Sequence, residues 1–182
     1  MNLIKIAASF ALLAGFSLAE EKLHHVHKGA KGNPEKIAQV ESYRQIFNAA
    51  EQIIIYEGLP HPDEEEELMK LEAKRNDTVV LPLDQVFYTP AVKADNPDAI
   101  LKLLSGDDGI SVNEPKKCGF HSDYCIQFIH KNATYRAFVC FGCNELFVMQ
   151  GDSGVMFAFN EEKLKKLLAV YDKKRPKKIK DE

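Results

Sequence analysis

The run Tyr124-Cys125-Ile126-Gln127-Phe128-Ile129-His130 is followed by Lys131-Asn132-Ala133 and then by Thr134-Tyr135-Arg136-Ala137-Phe138-Val139-Cys140-Phe141. Both long runs alternate, as strands with two unlike faces do. Asn accepts positive φ and suits a tight turn, so the segment predicts a hairpin turning at Asn132-Ala133. That register sets Phe128 opposite Ala137, Ile126 opposite Val139 and Tyr124 opposite Phe141. One face is then apolar throughout. The other carries Gln127, Ile129, Arg136, Phe138, Cys125 and Cys140. A one-residue slip would set Phe128 against Arg136 and mix the faces. In the unmixed register Cys125 and Cys140 are direct cross-strand neighbours, at a Cα separation of about 5.5 Å that a disulfide spans.

Downstream, Gly142-Cys143-Asn144 reads as a turn, Glu145 to Gln150 as a third strand and Val155 to Phe159 as a fourth. The four strands form an antiparallel meander. Gly151-Asp152-Ser153-Gly154 also resembles the nucleophile motif of chymotrypsin-like proteases. The chain is short for a two-barrel protease, however, and two glycines around small polar residues are what a hairpin requires.

Upstream, Pro34 opens a helix whose Ile37, Val40, Tyr43, Ile46 and Phe47 recur at helical spacing. Gln52 to Tyr56 is a β-branched run that predicts a buried strand. Pro62 to Arg75 is a second helix, with acids Asp63 to Glu67 at its positive end and Lys70, Lys74 and Arg75 near its negative end. Thr78 to Tyr88 is extended, with Pro82 marking an edge or bulge. Pro97 to Ser105 and Glu161 to Tyr171 complete the helices.

The chain has 182 residues, 45% of them hydrophobic and 28% charged, with net charge −3. That predicts a single globular domain and argues against a nucleic-acid partner. Residues 1–19 have the charged start, short apolar run and Ser17-Leu18-Ala19 site of a signal peptide, cleaved before Glu20. No later apolar run spans a bilayer, so no stable membrane insertion is expected after cleavage. The location is then periplasmic or secreted. Residues 20–33 form a flexible segment whose His24, His25 and His27 offer imidazoles to a metal. Residues 34–172 form the domain, and residues 173–182 a basic disordered tail.

Three readings of the cysteines stay open. An exported chain with four cysteines favours disulfides, Cys125 with Cys140 and Cys118 with Cys143. Cys118-x2-His121 and Cys140-x2-Cys143 have instead the spacing of a zinc ribbon, with Cys118, His121, Cys140 and Cys143 as ligands. Cys140 and Cys143 could exchange thiols, although redox motifs of this spacing work at helix N-termini rather than between strands. Haem attachment wants His where Asn144 stands. A separate constellation is Glu57, His61, His121 and Asp123. If their loops meet, two imidazoles and a carboxylate can hold a catalytic metal or move protons. Simple fastening of the loop by His121 and Asp123 competes with that reading.

Tyr56-Glu57-Gly58-Leu59-Pro60-His61, Cys118-Gly119-Phe120-His121-Ser122-Asp123-Tyr124 and Cys140-Phe141-Gly142-Cys143 resemble segments of an uncharacterised family of secreted bacterial proteins. They fall in that order along about two thirds of the chain. Similar members carry an extra Gly in the second loop and His after the last cysteine. The resemblance implies export but no activity, substrate or ligand.

The expected fold is α+β, an antiparallel meander sheet with helices packed on one face. The expected function is that of an exported bacterial binding or structural domain, non-enzymatic and stabilised by its cysteine cluster. The alternatives are a small metal-dependent hydrolase-like enzyme using the His61 and His121 loops, and a zinc-stabilised domain.

Overall fold

The computed structural model describes residues 33–113 and 119–176. In chain order the elements are α1 (Pro34–Asn48), β1 (Glu51–Glu57), α2 (Pro62–Glu72), β2 (Thr78–Leu81), β3 (Gln85–Tyr88), β4 (Val92–Lys93), α3 (Pro97–Ser105) and β5 (Ile110–Val112). There follow β6 (Tyr124–His130), β7 (Ala133–Cys140), β8 (Glu145–Gln150), β9 (Ser153–Phe159) and α4 (Glu161–Leu168). The class is α+β. Seven antiparallel strands form one sheet in the order β4-β1-β6-β7-β8-β9-β5, and β2 and β3 form a separate hairpin. Strands β6 to β9 are the meander that the alternating runs predict.

The register corrects the sequence reading. Tyr124 pairs with Val139, Cys125 with Phe138, Ile126 with Ala137 and Phe128 with Tyr135. The turn lies at Lys131 and Asn132, whose φ values are 48° and 63°. A two-residue turn of this hand needs positive φ at both central positions. Asn fills the second one here, whereas the predicted turn would have forced Ala133 into it. The pairing is displaced by two residues, so every side chain keeps its face. Alternation cannot detect such a shift.

The apolar face matches expectation. Tyr124, Ile126, Phe128, Ala137 and Val139 are buried with Leu146, Val148 and Phe157 from the neighbouring strands. Helices α1, α3 and α4 cover them through Val40, Phe47, Ile100, Leu104, Leu164 and Leu168. Helix caps fix two of these approaches: the Ala99 N–H donates to the Asn96 side chain, and the Lys163 N–H donates to the Asn160 side chain. Arg44 ties α1 to the start of β5, donating at 2.7 Å to Asp107 O and at 3.0 Å to Ile110 O.

The opposite face is covered too, which the sequence did not predict. Thr78 to Tyr88 is not one extended segment. It reverses at Pro82-Leu83-Asp84, where Leu83 and Asp84 take positive φ. The resulting hairpin lays Phe87 on a second cluster with Cys125, Phe138 and Met149. Helix α2 sides with this hairpin: Tyr88 donates to the Glu72 carboxylate at 2.6 Å. Helices therefore do not all sit on one face. Gly151, at φ 58°, turns β8 into β9, so the Gly-Asp-Ser-Gly segment is a hairpin turn. Among the described residues no helix is long and apolar enough to cross a membrane. The signal segment 1–19 and the histidines at 24, 25 and 27 lie outside the described residues.

Candidate functional site

Strand β1 runs antiparallel to β6, so its end at Glu57 meets the start of β6. The Gly58 N–H donates to Asp123 O at 2.8 Å. A Cβ at Gly58 would lie 2.0 Å from Ser122 O, so only glycine permits this approach. The crossing brings the loop after Glu57 against the loop before Tyr124. The two histidines meet: the His61 and His121 rings stand edge to face with centroids 5.0 Å apart. The turn between β7 and β8 joins them, since a Cβ at Gly142 would lie 3.7 Å from His61 Nε2. The three sequence segments thus converge.

His121 Nε2 lies 3.0 Å from Leu59 O. A carbonyl only accepts, so Nε2 carries the hydrogen and Nδ1 keeps its lone pair. Burial is the main reason that the His121 pKa falls below its ordinary value; His61 and Arg175 add to the fall, while Leu59 O and Asp123 oppose it. The ring is therefore neutral near pH 7.

The two carboxylates are engaged. Asp123, 8% exposed, accepts from the Phe141 N–H at 2.8 Å. It also pairs with Arg175 at 3.3 Å. Glu57, 6% exposed, accepts backbone N–H groups from Lys173, Lys174 and Arg175 at 3.1, 2.9 and 2.6 Å. Burial pushes the Glu57 pKa up, helped by a side-chain hydrogen bond with Asp172; the three N–H donors pull it down less strongly. Residues 173–176 are therefore held, contrary to the expectation of a disordered tail from 173. Residues 177–182 lie outside the described residues.

The predicted disulfide between Cys125 and Cys140 is absent, and both are free thiols. The two-residue register shift explains it: Cys125 pairs with Phe138, and Cys140 lies beyond it beside Asp123. Cys125 sits in the apolar cluster, and burial raises its pKa. Cys140 Sγ accepts from the Cys143 N–H at 3.3 Å. Burial raises its pKa as well, despite this bond and one from the His121 N–H. Cys143 is disulfide-bonded. Cys118, with which the sequence pairs it, lies outside the described residues. A cysteine in a disulfide is no thiolate ligand, so Cys143 offers none to a metal in this state. Among the described residues, no three His, Cys, Asp or Glu side chains are arranged to hold a metal ion.

A cleft of about 600 Å³ opens beside this junction, lined by His61, Asp123, Tyr124, Phe141, Lys165 and Arg175 among others. A smaller one of about 240 Å³ lies on the other side, against His121, Leu59, Met69 and Phe120. Two aromatic rings of the larger cleft carry cations: Lys165 Nζ stands 5.5 Å from the Phe141 centroid, and the Arg175 guanidinium 5.6 Å from that of Tyr124. The sequence reading missed Lys165, Asp172 and Arg175. Arg175 had one signal, as the single arginine in a run of lysines. Compared with family models, curated proteins and solved structures, the chain matches none.

Proposed function

We propose that this is an exported, non-enzymatic binding domain whose ligand enters the cleft between the Gly58–His61 loop, the Ser122–Tyr124 loop and the Phe141–Gly142 turn. One observation carries the reading. Glu57 and Asp123, the carboxylates that would do acid–base work, are engaged by backbone N–H groups and Arg175. What remains open to the cleft is a recognition surface of an imidazole, aromatic rings and charges of both signs, with Glu65, Glu161 and Asp172 beside Lys165. The three segments that resemble the uncharacterised secreted family all border this junction, which supports treating them as one working unit. Export itself rests on the signal-peptide pattern of residues 1–19.

Amide chemical shifts of the processed protein test the reading against three ligand classes: amines and basic peptides, carboxylates and phosphates, and sugars. Saturable shifts at His61, Tyr124 and Gly142, lost on His61→Ala, are expected for one class. No response from any class sinks the proposal.

A second reading, the metal-dependent hydrolase-like enzyme, is favoured by the 5.0 Å approach of His61 and His121. Hydrolysis of a generic ester on zinc addition, abolished by His121→Ala in a folded variant, would establish it instead.

A further inference from the structure

Residues 173–175 are held in the manner of a bound peptide. Three successive backbone N–H groups converge on the buried Glu57 carboxylate. These bonds read the backbone and accept any residue except proline. Lys174 adds one side-chain contact, its Nζ donating to Thr89 O, and the side chain that adds most identity is that of Arg175. Its Nε donates to Gly58 O at 3.1 Å and its Nη2 to Asp123 O at 2.7 Å. Nη1 pairs with Asp123 Oδ1 at 3.3 Å, and the guanidinium stacks over Tyr124. A lysine, with one compact charge, cannot reproduce this fork. Pro176 follows, where no donor is needed, and lines the cleft.

The two halves of the contact differ in construction. The receiving half sits on the joined ends of β1 and β6, inside the hydrogen-bonded sheet. The received half follows the short 3-10 turn Ala169–Tyr171 and belongs to no helix or strand. Charge adds to the asymmetry. With Arg175 in place, the cleft lining has Glu65, Asp123, Glu161 and Asp172 against Lys165 and Arg175. Withdrawal of Arg175 would leave four acids facing Lys165, a field that draws a basic segment back.

We propose that the groove bounded by Glu57, Gly58, Asp123 and Tyr124 recognises a basic peptide segment with an Arg-Pro step, and that residues 173–176 are its occupant in cis, a strap that such a segment of a partner protein displaces. The proposal rests on the reading of the cleft as a binding site and names the ligand class. Strap and partner compete for one carboxylate and one guanidinium seat, so partner binding would withdraw Arg175 and Pro176 from the cleft wall.

The test uses a chain ending at Asp172 and a fluorescent peptide with the sequence of residues 173–182. Saturable binding is expected. It should weaken at least tenfold when the peptide carries Arg175→Ala, and also when the protein carries Glu57→Gln. The full-length chain, its groove filled, should bind the peptide at least tenfold more weakly than the shortened one. Equal binding of a shuffled peptide of the same composition would reduce the effect to net charge and overturn the proposal. So would absence of binding to a shortened chain that keeps its near-ultraviolet circular dichroism. If the shortened chain does not fold, hydrogen exchange on the full-length protein decides. The Lys173, Lys174 and Arg175 amides should exchange at least a hundredfold faster than those of β6 and β7. Exchange only through global unfolding would make the segment a fixed part of the fold and overturn the strap. Small ligands that still shift His61 and Gly142 when the peptide does not bind would leave the cleft reading standing and remove the peptide alone.

Discussion

The two faces of the central hairpin are built from the same strands and do different work. On one, Tyr124, Ile126, Phe128, Tyr135, Ala137 and Val139 lie under three helices in one large cluster. Phe128 stacks on Tyr135 at 5.3 Å and tilts against Phe47 at 5.2 Å. On the other, the buried cluster shrinks to Phe87, Cys125, Phe138 and Met149, beside a polar pair in which Arg136 donates to Gln127 at 3.1 Å. The first face is continuous apolar packing and carries most of the stability. The second is covered by a two-stranded hairpin and gives way, beyond Cys125, to Asp123 and His121, whereas Glu57, paired with Tyr124, ends the first face. The lesson is that period-two alternation divides labour as well as side chains.

The most direct way to break the comparison is to truncate one aromatic residue on each face. Phe128→Ala should cost about 3–5 kcal/mol in chemical denaturation, because the fully buried ring leaves a cavity. Phe147→Ala, half-buried on the second face, should cost about 1–2 kcal/mol. Equal losses would remove the distinction. Next in size, Gly58→Ala forces a methyl group into Ser122 O and should cost about 1–3 kcal/mol. Its loss should come with disturbed amide shifts at Glu57 and Arg175 and leave those of β8 unmoved. Shifts spread over the meander would place Gly58 in the core instead of at the junction.

A smaller effect discriminates the registers by sign. In the observed pairing Ala133 is a strand residue, so Ala133→Gly should destabilise by about 0.5–1 kcal/mol. In the pairing with Asn132-Ala133 at the turn it would stabilise, because glycine would relieve a positive φ.

The smallest effects are pH slopes, and they have opposite signs at the junction. Glu57 is raised above its unfolded value, so the folded state holds the proton more tightly. Its contribution is full below about pH 4.5 and is lost as pH rises through the folded value. His121 is lowered, so its contribution is full above about pH 6.5 and is lost as pH falls through the folded value. Denaturation midpoints of Glu57→Gln and His121→Asn against pH should each lose one of these slopes. Unchanged profiles would show that neither group titrates differently on folding. Thiol counting sharpens the second face with no change in stability. Alkylation of the native protein should label neither Cys125 nor Cys140, both fully buried. Alkylation after unfolding without reductant should label both.

The meander and the identity of its faces were legible because both depend only on alternation and turn residues. The two-residue displacement was not, since it leaves alternation intact and is decided by φ at Lys131 and Asn132. That single displacement also undid the expected Cys125–Cys140 bridge. At the site, Glu57, His61, His121 and Asp123 were legible as chemistry-bearing residues in turn-rich loops, and they do converge. Their partners were not. Arg175 reaches Asp123 across 52 positions of chain and Glu57 is gripped by backbone N–H groups, which no side-chain pattern announces. The second layer was hidden for a similar reason: Pro82 marks an interruption, but the reversal depends on Leu83 accepting a conformation that leucine rarely takes.

The sheet order has a consequence for how copies of this protein meet one another. Its outermost strands, β4 and β5, are stubs of two and three residues. Long regular edges recruit strands from other molecules and seed aggregates. Here β6, β7 and β8, rich in Val, Ile and Phe, lie inside the sheet between paired neighbours, while β5 covers β9 at Phe157, Ala158 and Phe159. The rim strands themselves are short, and Lys93 marks one end with charge. When the folded protein is crowded with its own copies, β6, β7 and β8 therefore stay out of reach.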